Sequence, residues 1–229
     1  MRTHERVMAR IEADLAAGRL ALGDRLPGER VLAEQLGVSR PSVREAVRVL
    51  EALGVVRTAA GSGPDAGAIL IADAATGIGA ALRLHVATSG VPVRDVVELR
   101  LLVESWGVRA AAERPDTAGL DRAAAFLDAM DACGLGPDAF LDLDGEFHAT
   151  LVGTAGNGLV TAMMSGVRGA VRAYVRAGAQ AVGDWDGMES RLRHEHRSLL
   201  EAVRDGRGDD AERAVRAHIE GFYRDSGVG

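Results

Sequence analysis

The scarcity of strand-forming residues is the feature that most restricts the fold of this chain. Its 229 residues include four Phe, two Trp and two Tyr, so aromatic side chains make up 3% of the sequence. Hydrophobic residues still reach 47%, and alanine, the best helix former, supplies much of that fraction. Strands are built from aromatic and β-branched runs, and few such runs are present. The composition therefore predicts a mostly helical protein, and this apolar content excludes disorder.

The chain is predicted to have two domains. The segment 58–77 is the only extended stretch of low information, and it includes the loop sequence GSGPDAG. We place a boundary near residue 72, which gives an N-terminal domain over 1–72 and a C-terminal domain over 73–229. Residues 1–66 carry ten Arg against nine acids, whereas 67–229 carry 17 Arg against 24 acids. The N-terminal part is therefore the better candidate for contact with phosphates, although the whole chain has a net charge of −6.

The N-terminal domain has the pattern of a winged helix-turn-helix. Apolar stripes predict helices over 4–18 and 29–37, and a third helix follows Ser39, an N-cap residue that stands two positions before a proline. Two short apolar runs, 55–56 and 69–71, are suited to a hairpin. Three helices followed by a hairpin are typical of a winged helix-turn-helix.

Three arginines recur every four residues on the third helix, namely Arg40, Arg44 and Arg48. This spacing places their guanidinium groups on one exposed face, opposite the apolar stripe. Arginine is the side chain best matched to guanine and to phosphate. The alternative is an ordinary solvated face, with Glu45 and Glu51 nearby.

The C-terminal domain is predicted to be an all-helical bundle. Seven helical patterns lie near 76–90, 94–113, 116–132, 138–154, 157–181, 187–206 and 209–225. Four polar residues fall on their apolar stripes, namely Asp144, His148, His196 and His218. A single inward histidine is usually a hydrogen-bonded core residue, but three with an aspartate are costly to bury unpaired. One carboxylate and three imidazoles suit Zn²⁺, Ni²⁺, Mn²⁺ or Fe²⁺ and are poor ligands for Cu(I).

Arg100, in the helix predicted over 94–113, is another polar residue on an apolar stripe. Glu104, four residues later, is one possible partner. The other possibility is that Arg100 binds the carboxylate of a ligand through two parallel hydrogen bonds. The sequence leaves both open.

The N-terminal residues resemble the DNA-binding domain of the GntR family of bacterial transcription regulators. The resemblance covers about 60 residues and is carried by Leu26-Pro27-Gly28-Glu29-Arg30, by the stretch from Leu36 to Ala46, and by Leu50-Glu51-Ala52-Leu53-Gly54-Val55-Val56. It implies that Arg30, Arg40 and Arg44 contact DNA and that a glycine of the wing approaches the minor groove. Ser39 and Ser42 at the start of the third helix complete the predicted DNA-binding set. The wing GSGPDAG departs from the usual short glycine-rich tip.

The C-terminal residues resemble the FCD effector domain of the FadR subfamily within the same family. The resemblance is carried by Leu99-Arg100 with Glu104, by Asp144-Gly-Glu-Phe147-His148, by Gly156-Asn157, by Glu195-His196 and by His218-Ile219. It implies that Asp144, His148, His196 and His218 are metal ligands. It also implies a homodimer and a small carboxylate effector, for which Arg100 is the predicted contact.

These features together predict a ligand-responsive transcription regulator, with repression as the expected mode, and not an enzyme. Its predicted partners are a short inverted repeat in double-stranded DNA and a small organic acid, with zinc as the first choice of divalent metal and nickel, manganese or iron as alternatives. The first alternative interpretation is a metal sensor, in which the ion itself is the effector, and the second is a metal-dependent enzyme. The single cysteine, Cys133, excludes an intramolecular disulfide. With no secretory or membrane-spanning segment, we expect a cytoplasmic location.

Overall fold

The structure, a computed structural model, describes residues 3–59, 67–89, 91–132 and 134–227. Most of the predicted wing loop and Cys133 lie outside the described residues. The described residues form ten helices and one two-stranded sheet, which confirms the predicted class: mainly helical, with a winged helix-turn-helix followed by a helical bundle. The chain divides into two compact units, Met1–Ile78 and Gly79–Gly229. None of the helices in the described residues is long and apolar enough to cross a membrane.

The N-terminal unit contains three helices and a hairpin. They are α1 (Thr3–Ala16), α2 (Glu29–Leu36), α3 (Arg40–Ala52), β1 (Val56–Ala59) and β2 (Gly67–Leu70). The strands are antiparallel, with Val56 opposite Leu70 and Ala59 opposite Gly67. One apolar core joins all five elements, and its largest members are Ile11, Leu26, Leu32, Leu50 and Leu70.

The turn between α2 and α3 follows the predicted local chemistry. Gly37 ends α2 with a φ of 61°, a left-handed conformation that glycine adopts without strain. Ser39 caps α3, since its hydroxyl accepts a hydrogen bond of 3.3 Å from the backbone N–H of Ser42. The inward face of α3 is Val43, Ala46 and Leu50, all buried. Val47 is partly buried and packs against the same core.

The seven predicted helices of the bundle are all present. They are α4 (Ala74–Ser89), α5 (Val93–Glu113), α6 (Thr117–Met130), α7 (Pro137–Gly153), α8 (Gly158–Ala181), α9 (Trp185–Arg204) and α10 (Gly208–Ser226). Every predicted end lies within two residues of the observed one. Helix α10 packs along α5, α6 packs along α7, and α8 packs on both α5 and α7.

The core of the second unit is apolar except at one place. Phe140, Phe147, Leu192, Leu199 and Ile219 are among its fully buried side chains. Glu189 is buried beside Arg193, and six further buried ionisable residues come from α5, α7, α9 and α10: Arg100, Glu104, Asp144, His148, His196 and His218. Burying this many unpaired charges is expensive, so their mutual contacts determine what the unit can do.

Candidate functional site

The three arginines of α3 lie on the exposed side of the helix. The side chains of Arg40, Arg44 and Arg48 are all more than half exposed, whereas Val43 and Leu50 on the opposite side are buried. Exposed guanidinium groups one turn apart can reach base edges and phosphates when α3 enters a major groove.

Glu29, at the start of α2, holds one of these arginines. Its carboxylate accepts hydrogen bonds from Nε of Arg44 at 2.8 Å and from a terminal nitrogen of Arg44 at 2.7 Å. Arg40 lies 4.0 Å from the same carboxylate. The hydrogen bond from Arg44 lowers the pKa of Glu29, so the carboxylate stays ionised. The sequence did not reveal this pair, because the two residues are brought together only by the packing of α2 on α3.

The remaining predicted DNA contacts surround the start of α3. The hydroxyls of Ser39 and Ser42 lie 2.8 Å apart there, in the first turn of the helix. Arg30 is exposed on α2 and forms an ion pair of 2.8 Å with Glu34. The structure thus groups Ser39, Ser42, Arg40 and Arg44 on one helix and places Arg30 on the preceding one.

The four predicted metal ligands converge in the second unit. Asp144 and His148 come from α7, His196 from α9 and His218 from α10, and all four are buried. One ligand atom from each lies within 4.8 Å of the others. Nε2 of His148 is 3.3 Å from Nε2 of His196 and 3.2 Å from Nε2 of His218. Oδ1 of Asp144 is 3.0 Å from Nε2 of His196.

Two glutamates contact the far sides of these imidazoles. Oε2 of Glu104 lies 2.6 Å from Nδ1 of His148, and Oε2 of Glu195 lies 2.8 Å from Nδ1 of His218. An ionised carboxylate only accepts, so each glutamate favours the tautomer with the hydrogen on Nδ1. In that tautomer the Nε2 atoms of His148 and His218, 3.2 Å apart, face each other with lone pairs.

The electrostatics favour neutral imidazoles at His196 and His218 and ionised carboxylates at Glu104 and Asp144. Burial lowers the pKa of His196, and burial together with the neighbouring imidazoles lowers the pKa of His218 well below its ordinary value. Burial alone raises the pKa of Glu104, but Arg100 and His148 outweigh it and bring the pKa to about 2. The pKa of Asp144 is likewise lowered, because His148, His196 and Arg100 outweigh burial.

Arg100 forms the pair with Glu104 and also lines a cavity. Its Nε donates to Oε1 of Glu104 at 2.5 Å, so the i, i+4 pair exists and is buried. Arg100 also lines a cavity of about 470 Å³, together with Asp144 and His148. Pairing with Glu104 does not remove the guanidinium from reach of a ligand, because a guanidinium has five N–H donors.

The cavity has a lining that the sequence interpretation missed. Three further arginines from one face of α8 line it, namely Arg168, Arg172 and Arg176, together with acids of α7. Their spacing of four residues was a usable signal. Gly145, a helix-interior glycine next to Asp144, was another, since such glycines often mark a close approach.

Comparison with known proteins decides the family. The FCD domain profile matches residues 95–221, and the profile of the bacterial regulatory proteins of the gntR family matches residues 3–64. The chain belongs to the GntR family. This GntR-family protein therefore has a DNA-binding helix-turn-helix domain and an effector domain of the FadR subfamily type, and it is a transcription regulator.

Relatives of this GntR-family protein are named as regulators as well. It is 30% identical to the HTH-type transcriptional repressor NanR of Cronobacter sakazakii, over 96% of this chain and 83% of NanR. It is 29% identical to the HTH-type transcriptional regulator LutR of Bacillus subtilis, over 88% of this chain and 91% of LutR. A solved GntR structure from Streptococcus agalactiae shares the fold, with a TM-score of 0.70, 24% identity and coverage of 97% and 99%. These relatives are transcription regulators and not enzymes.

Proposed function

We propose that this regulator is a homodimeric repressor that binds a short inverted repeat in double-stranded DNA. The dimer releases the repeat when a small carboxylate binds beside a divalent metal ion in the effector domain. The convergence of three imidazole Nε2 atoms next to a cavity lined by Arg100 carries this proposal. The repressor NanR among its relatives supports the direction of control.

The DNA-binding half of the proposal depends on α3. Arg40, Arg44 and Ser42 read the bases, and Ser39 and Arg30 contact phosphate or neighbouring bases. The exposure of the α3 arginines supports this assignment, and Glu29 orients the Arg44 guanidinium by two parallel hydrogen bonds. Arginine held in this way loses little side-chain entropy when it meets a guanine.

The metal half of the proposal assigns Asp144, His148, His196 and His218 as ligands. Two nitrogens bound about 2.0–2.1 Å from one ion lie about 2.8–3.4 Å apart at common coordination angles, and the observed separations fall in that range. Lone pairs on two facing Nε2 atoms repel unless a cation lies between them. When bound, the ion supplies a Lewis-acid position on which an anionic group of the effector can rest. The ligand set favours zinc, with nickel, manganese or iron as alternatives.

The third part of the proposal, the effector site, depends on the cavity. Its volume of about 470 Å³ lies within the range of small-molecule sites, and Arg100 at its buried end matches a carboxylate. A hydroxy, keto or sugar acid has the size and charge for this place. A metal sensor needs no such cavity, which is why the organic acid is the preferred effector.

The homodimer is supported by two apolar side chains on α5. Leu102 is 69% exposed and Trp106 is 45% exposed, one turn apart on the same face. An inverted repeat is read by a protein with matching two-fold symmetry. A second copy of the chain is the partner that covers this face.

The experiment combines metal analysis with operator release. The protein is purified without chelator, its metal content is measured, and its operator is isolated from a random DNA pool. We expect about one divalent ion per chain, release of the operator by organic acids, and loss of bound metal in His218→Ala. Arg100→Lys keeps a buried positive charge beside Glu104 but removes the planar pair of donors, so it should keep DNA binding and weaken the response to acids. Metal-free wild-type protein refutes the metal site, and release by added metal alone identifies a metal sensor instead.

A further inference from the structure

The outer part of the effector cavity is lined by cations from a single helix. Arg168, Arg172 and Arg176 follow one another along α8 at four-residue steps, which is about 6 Å of helix rise per step. Their side chains are 34–57% exposed, whereas that of Arg100 in the same cavity is 6% exposed. The cavity therefore has a buried inner end at Arg100 and an open outer end, and we call the three residues of α8 the outer arginines.

The outer arginines are held by acids that a ligand can replace. Glu146 contacts Arg168 at 2.7 Å, and Asp142 contacts Arg172 at 2.7 Å and Arg176 at 3.2 Å. Both partners of each pair are at least one-third exposed, and exposed ion pairs contribute only about 0–1 kcal/mol each. A second anion that enters the cavity meets guanidinium donors without having to break a buried pair.

Gly145 connects the two ends of the cavity. It follows Asp144 on α7, and a Cβ at this position would lie 2.9 Å from Cδ of Arg168. A glycine inside a helix costs roughly 0.5–1 kcal/mol relative to alanine. Its presence leaves room for the stem of Arg168 to lie against α7, directly beside the inner end.

The size of the cavity leaves room for more than one small carboxylate. At about 30 Å³ for each water-sized group, 470 Å³ accommodates about fifteen such groups. The lining also includes the apolar side chains Leu141, Met164, Val171 and Val175. A matching ligand has an anionic group at each end and an apolar or neutral middle.

We infer that the effector is a dianion, whose second anionic group is a carboxylate or a phosphate bound by Arg168 and Arg172. This inference rests on the proposed effector site and narrows the class of ligand that the site accepts. The group bound at the inner end is the one that Arg100 faces, and the outer arginines select for the second charge.

The experiment measures ligand affinities by calorimetry on the full-length metal-loaded protein. For the wild type and each variant, the affinity for a dianion is compared with the affinity for the matching monoanion. Dicarboxylates of four to seven carbons are each compared with the monocarboxylate of equal length, and 3-phosphoglycerate is compared with glycerate. A hydrogen bond to a charged group contributes about 1.5–3 kcal/mol, so the preference for the dianion should be about ten- to hundredfold in the wild type. The carboxylate and phosphate arms show which second group is bound.

The variants test whether the outer arginines produce the preference. Arg168→Gln with Arg172→Gln should reduce it to below about threefold, and Gly145→Ala, which displaces the stem of Arg168, should reduce it in part. Arg213→Gln removes a charge from an exposed position on α10 outside this cavity, and the full preference should remain.

Two results overturn the inference. One is equal affinity for the monoanion and the dianion in the wild type, which leaves the proposed effector site intact because acids still bind. The other is a preference that survives in the double variant. If no acid binds to the metal-loaded protein at all, the proposed function fails together with the inference.

Discussion

Replacement of Glu104 by glutamine tests the buried contacts of the candidate metal centre. The substitution removes one charge and leaves the shape of the side chain almost unchanged. Glu104 is fully buried on α5, where Oε1 accepts from Nε of Arg100 at 2.5 Å and Oε2 lies 2.6 Å from Nδ1 of His148. Glu104→Gln removes the negative charge between a buried cation and a ligand imidazole. Both the stability of the domain and its affinity for metal should fall.

The loss of stability follows from the buried charge of Glu104. A pKa lowered from an ordinary 4.5 to about 2 corresponds to about 3 kcal/mol of unfolding free energy, which is present above pH 4.5 and lost as the pH falls towards 2. Leaving one member of a buried ion pair alone costs about 3–5 kcal/mol. In a chain of this size that loss lowers the Tm of the effector domain by about 6–20 °C.

The effect on metal follows from the tautomer of His148. The ionised carboxylate of Glu104 fixes the hydrogen on Nδ1 and directs the lone pair of Nε2 towards the other ligands. A glutamine amide can either accept a hydrogen bond from Nδ1 or donate one to it, so the tautomer of His148 is no longer fixed. Loss of such a partner typically lowers metal affinity about 10- to 100-fold.

The assay combines calorimetric melting of metal-free protein at pH 7 with metal titration against a chelator of known affinity. Glu98→Gln is the matched control, because Glu98 lies on the same helix and is exposed, with an ion-pair partner in Arg94 at 3.8 Å. The control should stay within about 0.5 kcal/mol of the wild type. An unchanged Tm in Glu104→Gln would refute the buried-pair argument, and a metal affinity within twofold of the wild type would refute the tautomer argument.

Three further predictions concern DNA, pH and assembly. Arg44→Ala should weaken operator binding about 5- to 150-fold in band-shift assays, because a bidentate base contact contributes about 1–3 kcal/mol. The control Arg213→Ala should bind the operator like the wild type. If both variants bind equally well, α3 is not the helix that reads the bases. Because burial lowers the pKa of His196 and His218, the unfolded chain takes up protons first on acidification. Urea denaturation of metal-free protein should therefore show a loss of up to about 1.4 kcal/mol per pH unit per histidine below about pH 6.5, and a flat profile would contradict it. Trp106→Glu should convert the dimer to monomer in sedimentation, and a dimer that persists would place the interface elsewhere.

The fold was predictable because its signals are local. The end of α2 at Gly37 and the cap of α3 at Ser39 are each specified by one residue and its immediate neighbours, and the structure confirms both. The bundle helices likewise start and stop at prolines, glycines and aspartates. Periodicity gives the direction of a side chain but not how closely a neighbouring helix covers it, so Val47 packs against the core and is only partly buried.

The candidate site was predictable only in the residues that violate a pattern. A histidine such as His196 on an apolar stripe is visible in the sequence, because burying it without a partner is costly. The partners themselves were less visible. Glu195 became the partner of His218 through the packing of α9 on α10, and Arg168 came to line the cavity through the packing of α8 on α7. Residue spacing specifies neither the direction of those helices nor the distance between them.

The two ends of the effector cavity are held with very different strength, and this difference locates the part of the domain that an effector can move. At the inner end Asp144 and His148 are buried on α7, and Glu104 ties His148 to α5. At the outer end Arg172 and Asp142 form an exposed pair that contributes about 0–1 kcal/mol. A ligand shifts a conformational equilibrium only through contacts that differ between the two states. An anion that takes Arg172 from Asp142 changes the outer contact of α7 with α8 and leaves the inner one in place. We therefore expect the rearrangement on effector binding to begin in the N-terminal half of α7 and the C-terminal half of α8.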